Sequence, residues 1–131
     1  MQMKSLNASA KLQRYVIYEG VAQVAKAAKT SVLELHFRVR DGFHVQSHTP
    51  KSELQIPTVF ELQPADGVRA AEVVYPAEKL DVYTGSFTVK VPVVAAAGEH
   101  TLDGVLRYQA CDSTVCYPPE TLPVQVSFTA K

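Results

Sequence analysis

Within residues 32–40 apolar and polar side chains alternate without a break from Leu33 onward. Leu33, Leu35, Phe37 and Val39 fall on one side of an extended chain, and Glu34, His36, Arg38 and Arg40 fall on the other. A two-residue period is that of a strand with one buried and one wet face. The same phase recurs in Phe87, Val89, Val91 and Val93, in Leu102, Leu106 and Tyr108, and in Leu122, Val124, Val126 and Phe128. Shorter strands are expected over 15–18, 43–47, 58–62 and 68–74. Turn signals at Asp41-Gly42, Pro64-Ala65-Asp66-Gly67, Thr84-Gly85, Gly98-Glu99 and Asp103-Gly104 punctuate the runs. Many short strands with such spacing predict an all-β antiparallel sandwich. Leu33, Leu35, Phe37, Val39, Val89, Val91, Leu106, Val124 and Val126 are its expected core, because a one-residue slip would expose the whole set. Pro92 and Pro123 fall on outward positions, which places their segments at sheet edges or beside bulges. Over 21–29, Val21, Val24, Ala25 and Ala28 have helical spacing, but the stretch is so short that a strand or loop fits as well.

Composition sharpens this picture. Valine occurs 19 times against 10 leucines, with nine threonines, a bias toward the pleated surface of a sheet. The 131 residues, 47% of them hydrophobic, suit one domain, with 1–12 read as a polar tail and 13–131 as the folded unit. A domain of this length buries roughly two-thirds of its unfolded surface and needs neither a metal nor a disulfide merely to fold. Thirteen basic residues balance thirteen acidic ones with no Lys/Arg run, so nucleic acid and anionic membrane surfaces are not expected partners. The longest apolar stretch, 91–97, holds Pro92 and is too short to span a bilayer. The first residues carry no apolar core of the secretory type.

The two cysteines, Cys111 and Cys116, therefore need a reason other than stability. They flank a tight connection between two strong strand signals, at one end of the expected sandwich. A bridge closing a ring of about six residues contributes on the order of 2 kcal/mol, against about 4.7 for a 100-residue loop. Three readings stand: a local structural bridge, a reversible dithiol/disulfide pair, and a zinc site built with His44 and His48. Against zinc, an extended chain sets the two histidines roughly 13 Å apart at about 3.3 Å per residue, too far to converge on one ion. A thiol nucleophile activated by His44 or His48 lacks an orienting group and an oxyanion-hole signature. Pro118-Pro119 stiffens the exit from Cys116 and pushes Tyr117 to an extended conformation.

The segment Tyr108-Gln109-Ala110-Cys111 through Cys116-Tyr117-Pro118-Pro119-Glu120-Thr121 closely resembles the active-site loop of the N-terminal domain family of DsbD, the thiol:disulfide interchange protein of the bacterial periplasm. Arg40-Asp41-Gly42-Phe43-His44-Val45, His48-Thr49-Pro50-Lys51 and Ile56-Pro57-Thr58 extend the resemblance upstream, so that it covers roughly 32–128. It implies an immunoglobulin-like sandwich with a redox-active cysteine pair at one end and no cofactor or metal. The implied partners are thioredoxin-like: electrons come from a thioredoxin-like domain and pass to oxidised periplasmic proteins, including disulfide isomerases and cytochrome c maturation thioredoxins. By position, Cys116 matches the cysteine that forms mixed disulfides and Cys111 the one that resolves them, with Tyr117 and Pro118 beside them. The family's two active-site tyrosines fall at His44 and Gln46, on the face of their strand that meets the pair; a protonated His44 there would favour a thiolate, and a satisfied surface histidine is the more ordinary reading of it. Four residues separate the cysteines where the best-known members have five. The family's shielding cap loop corresponds to the shorter stretch 77–84, where Leu80 and Tyr83 are candidate lid residues or, alternatively, part of the sandwich core.

Overall fold

The structure, a computed structural model, describes residues 13–77 and 79–131; the expected polar tail, 1–12, lies outside them. Among the described residues eleven strands, numbered in chain order, form three sheets. The first runs β1 (Val16–Tyr18), β3 (Thr30–Val39), β8 (Ser86–Ala95), β6 (Val68–Ala70). The second runs β2 (Gln23–Ala25), β11 (Glu120–Ala130), β9 (Gly98–Tyr108), β5 (Val59–Leu62). A small third sheet, β10 (Ala110–Cys111), β4 (His44–Gln46), β7 (Val82–Tyr83), lies at one end. All pairings are antiparallel except that of β2 with β11. The expected all-β, immunoglobulin-like sandwich is the fold that forms.

Its core follows the two-residue period. Along β3 the inward residues Leu33, Leu35, Phe37 and Val39 are buried; in register, Leu33, Leu35 and Phe37 meet Val91, Val89 and Phe87 of β8, and Val39 meets Val16 of β1. From the facing sheet Leu102, Leu106 and Tyr108 of β9 and Leu122, Val124, Val126 and Phe128 of β11 close the cluster. Every residue named above as core is buried. At roughly 25 cal/mol per Å² of apolar surface, each such side chain contributes about 1.5–3 kcal/mol. The segment 21–29 resolves as β2, whose Gln23 side chain also pairs with the backbone of Glu34 in β3 and so ties the two sheets together.

Two turn and edge readings change. Asp103-Gly104 is no turn but the middle of β9. The glycine is there because the Phe60 ring of β5 lies across it: a Cβ would stand 2.6 Å from Phe60 Cζ and 2.9 Å from the Glu61 carbonyl oxygen. Pro92 sits in an internal strand, not an edge strand, but its neighbour β6 ends at Ala70, so the strand beside it is already broken. Among the described residues Pro123 does lie on an open edge, since β2 pairs with β11 only from Phe128 onward.

The Phe60–Gly104 contact yields a direct expectation. Gly104→Ala forces the ring and the β5 backbone apart, and overpacking of this kind costs about 1–3 kcal/mol. Thermal unfolding should show a lower midpoint for the variant, and Gly104→Ala combined with Phe60→Leu should recover part of the loss.

Candidate functional site

The cysteines are placed by a hairpin so short that its register leaves little freedom. Tyr117 N–H donates to Ala110 C=O at 2.8 Å and Asp112 N–H to Val115 C=O at 2.9 Å. The pair between these bonds, Cys111 and Cys116, stands directly opposed at the non-hydrogen-bonded position, where side chains of antiparallel neighbours come closest. The two sulfurs are joined in a disulfide, with the Cα atoms 3.9 Å apart.

Asp112 holds the turn together. Its Oδ1 accepts from Thr114 N–H, Thr114 O–H and Val115 N–H at 2.8, 3.0 and 2.8 Å, and its Oδ2 accepts from the Tyr117 hydroxyl. These donors, led by Tyr117, hold the carboxyl well below the usual carboxylate range. The same bond pushes the Tyr117 hydroxyl up. Sequence reading passed over Asp112, although Asp followed by Ser-Thr is a signal for a side chain that caps its own turn.

The exit from the pair is anchored by aromatic packing. Tyr117 stacks on Tyr15 with centroids 5.2 Å apart, and Phe43 meets both rings edge-on at 5.0 and 6.0 Å. Gln109 Nε2 donates to the Tyr117 carbonyl. Pro118 follows, exposed, before β11 begins.

The sulfurs are not equivalent. Cys111 belongs to β10, pairs with His44 of β4 in the ladder, and is 1% exposed, whereas Cys116 is exposed. Beneath the pair lies Gln46, 2% exposed, whose Nε2 donates to Cys111 Sγ at 3.4 Å. His44 and Gln46 thus both lie at Cys111, as their shared strand face predicts. His48 does not join them: its Nδ1 is bonded to the Thr58 carbonyl at 2.9 Å and its ring stacks on Tyr75 at 3.6 Å. The four-ligand constellation weighed for zinc is not assembled, since His48 is turned away and the two sulfurs are bonded to each other.

The two candidate lid residues part company. Tyr83 is 2% exposed, packs on Phe87 at 4.8 Å and accepts the His48 N–H through its hydroxyl, which makes it a core residue and not a lid. The reason is its β7 pairing with Val45, which turns the ring inward. Leu80 is 48% exposed in the connection before β7.

A family model, thiol:disulfide interchange protein DsbD, N-terminal, matches residues 13–127. The chain belongs to the DsbD N-terminal domain family. Among solved structures, the reduced DsbD N-terminal domain of Neisseria meningitidis aligns at 24% identity and a TM-score of 0.47, covering 79% of this chain and 82% of that one. The N-terminal periplasmic domain of ScsB from Proteus mirabilis aligns at 13% identity and 0.46, covering 83% of this chain and 44% of that one. No curated protein matches. Among the described residues no helix is long and apolar enough to cross a membrane.

Within this DsbD-type loop, the depressed Asp112 carboxyl sets a pH dependence. A carboxyl whose folded pKa lies below its unfolded one contributes stability that is fully present above the unfolded value, about 4, and is lost as pH falls from there toward the folded value. Denaturant unfolding of the parent and Asp112→Asn should therefore differ most at neutral pH and converge as pH is lowered through about 4 to 2. A difference that does not change with pH would remove this role.

Proposed function

We propose that the domain is a protein-disulfide reductase module, one domain of a larger protein of the bacterial periplasm. It takes two electrons from a thioredoxin-like domain and passes them to oxidised periplasmic proteins, such as disulfide isomerases or cytochrome c maturation thioredoxins. The carrier is the reversible Cys111–Cys116 disulfide, without metal or other cofactor. The observation that supports this most is the inequality of the two sulfurs, one buried in a ladder and one exposed on a small ring.

Exchange proceeds by in-line attack of a thiolate on one sulfur with the other as leaving group. The donor's thiolate attacks Cys116 Sγ. A bond forms between the donor sulfur and Cys116, the Cys116–Cys111 bond breaks, and the electron pair leaves on Cys111, which then takes a proton. The donor's second thiol attacks the mixed disulfide, leaves oxidised, and frees Cys116 as a thiolate. Cys116 next attacks the target's disulfide, and Cys111 resolves that mixed disulfide, giving back the original bridge. Tyr117 and Pro118 hold the exit from the attacked sulfur stiff, and Leu80, exposed on the connection before β7, is read as the shield of this end.

The Cys111→Ser variant should accumulate a covalent complex with a thioredoxin-like partner that lacks its own resolving cysteine, and Cys116→Ser should trap little, as read on non-reducing gels. Equal trapping by both would remove the asymmetry. No trapping by either would favour a non-catalytic immunoglobulin-like binding or assembly domain with a structural bridge.

Turnover also requires the fold to survive without its disulfide. The small ring contributes about 2 kcal/mol against a typical domain stability of about 5–15. Far-UV circular dichroism of the reduced protein should keep the sheet signal and a cooperative transition; unfolding on reduction would contradict a shuttle.

A further inference from the structure

Gln46 is the one side chain at the site whose burial the fold does not explain. Its Oε1 is buried with no hydrogen-bond partner, and an orphaned buried acceptor destabilises the folded state. An apolar residue of the same volume would remove that penalty. Its Nε2, by contrast, is aimed at Cys111 Sγ, and it provides the only side-chain hydrogen bond to that sulfur among the described residues. A disulfide sulfur has no proton to give, so only the NH₂ end of the amide can bond to it. The other polar groups nearby are committed or lack such a bond. Asp112 accepts from its own turn and Tyr117, and His44 meets Cys111 through the backbone ladder.

We propose that Gln46 is a catalytic residue of the exchange reaction: its amide N–H stabilises the Cys111 thiolate that departs when Cys116 is attacked. This rests on the reading that Cys116 is the attacked sulfur. As the Cys116–Cys111 bond breaks, the electron pair moves onto a sulfur that is almost wholly removed from water, where a negative charge is disfavoured. The amide is already in place to meet it, and a hydrogen bond to a charged acceptor is stronger than one to a neutral one. No proton is transferred by the amide; the thiolate is later protonated from solvent or consumed in resolving the mixed disulfide.

The test uses Gln46→Met, similar in volume but without a donor, and dithiothreitol as reductant. In a Cys116→Ser background, ultraviolet titration should place the Cys111 thiol about one to two pH units higher with methionine than with glutamine. In the two-cysteine domain, with part of that charge developed in the transition state, reduction should slow about three- to tenfold. The unfolding midpoint should stay level or rise, which a structural role for Gln46 would not allow. Gln46→Leu carries the same expectation. An unchanged thiol pKa and rate in the folded variants would overturn the proposal, as would failure of both variants to fold. Dithiothreitol needs no protein partner. A domain that shows the Gln46 effect but traps no thioredoxin-like protein would therefore refute the exchange function while keeping the role of the amide. Normal trapping with no Gln46 effect would do the reverse.

Discussion

The pairing of Cys111 with His44 in the β10–β4 ladder is the constraint on which the site depends. It fixes one sulfur to the body of the sandwich, where the neighbouring Ala110 and Val45 are buried. Its partner must then stand on the return strand of a hairpin that, among the described residues, pairs with no further strand. Burial of one sulfur and exposure of the other follow from that single asymmetry of backbone pairing. In an exchange reaction, which sulfur can be approached decides which becomes the leaving group. Under the proposed function, topology alone would give direction to the chemistry.

Around that ladder two sets of contacts divide the work. Asp112 gathers three donors from the turn and one from Tyr117, so the loop's shape has a support besides the disulfide it carries. The Tyr15–Phe43–Tyr117 cluster anchors the far side by apolar and quadrupolar packing, which is indifferent to redox state. The proposed shuttle would have to keep its form in both states, and none of these contacts involves sulfur.

Much of this was legible in the chain. The alternation in 32–40 and its three echoes fixed which faces are buried, because one register slip would have exposed Leu33, Leu35, Phe37 and Val39 together. The cysteine loop declared itself by spacing and by its likeness to a known family. What failed to show was whatever depends on a neighbour distant in sequence. Asp103-Gly104 reads as a turn until Phe60, more than forty positions earlier, is seen across it. Tyr83 reads equally as lid or core until its pairing with Val45 turns it inward. By the resemblance Gln46 falls where the family has a tyrosine, and nothing local says that its amide points at a sulfur 65 residues away.

The four-residue spacing of the cysteines has its own logic. In a hairpin closed by a two-residue turn, here Ser113-Thr114, the first pair is Asp112 with Val115, and the next is Cys111 with Cys116. An even number of intervening residues is what sets two positions directly opposite without a bulge; an odd number requires a different turn. The tight turns that suit such hairpins place residues at positive φ, and neither Ser113 nor Thr114 adopts it. The Val115 N–H is met instead by the Asp112 carboxylate. The acid between the cysteines is therefore part of the same solution as the spacing: the shorter loop aligns the sulfurs, and Asp112 supplies the bond to Val115 N–H inside that loop.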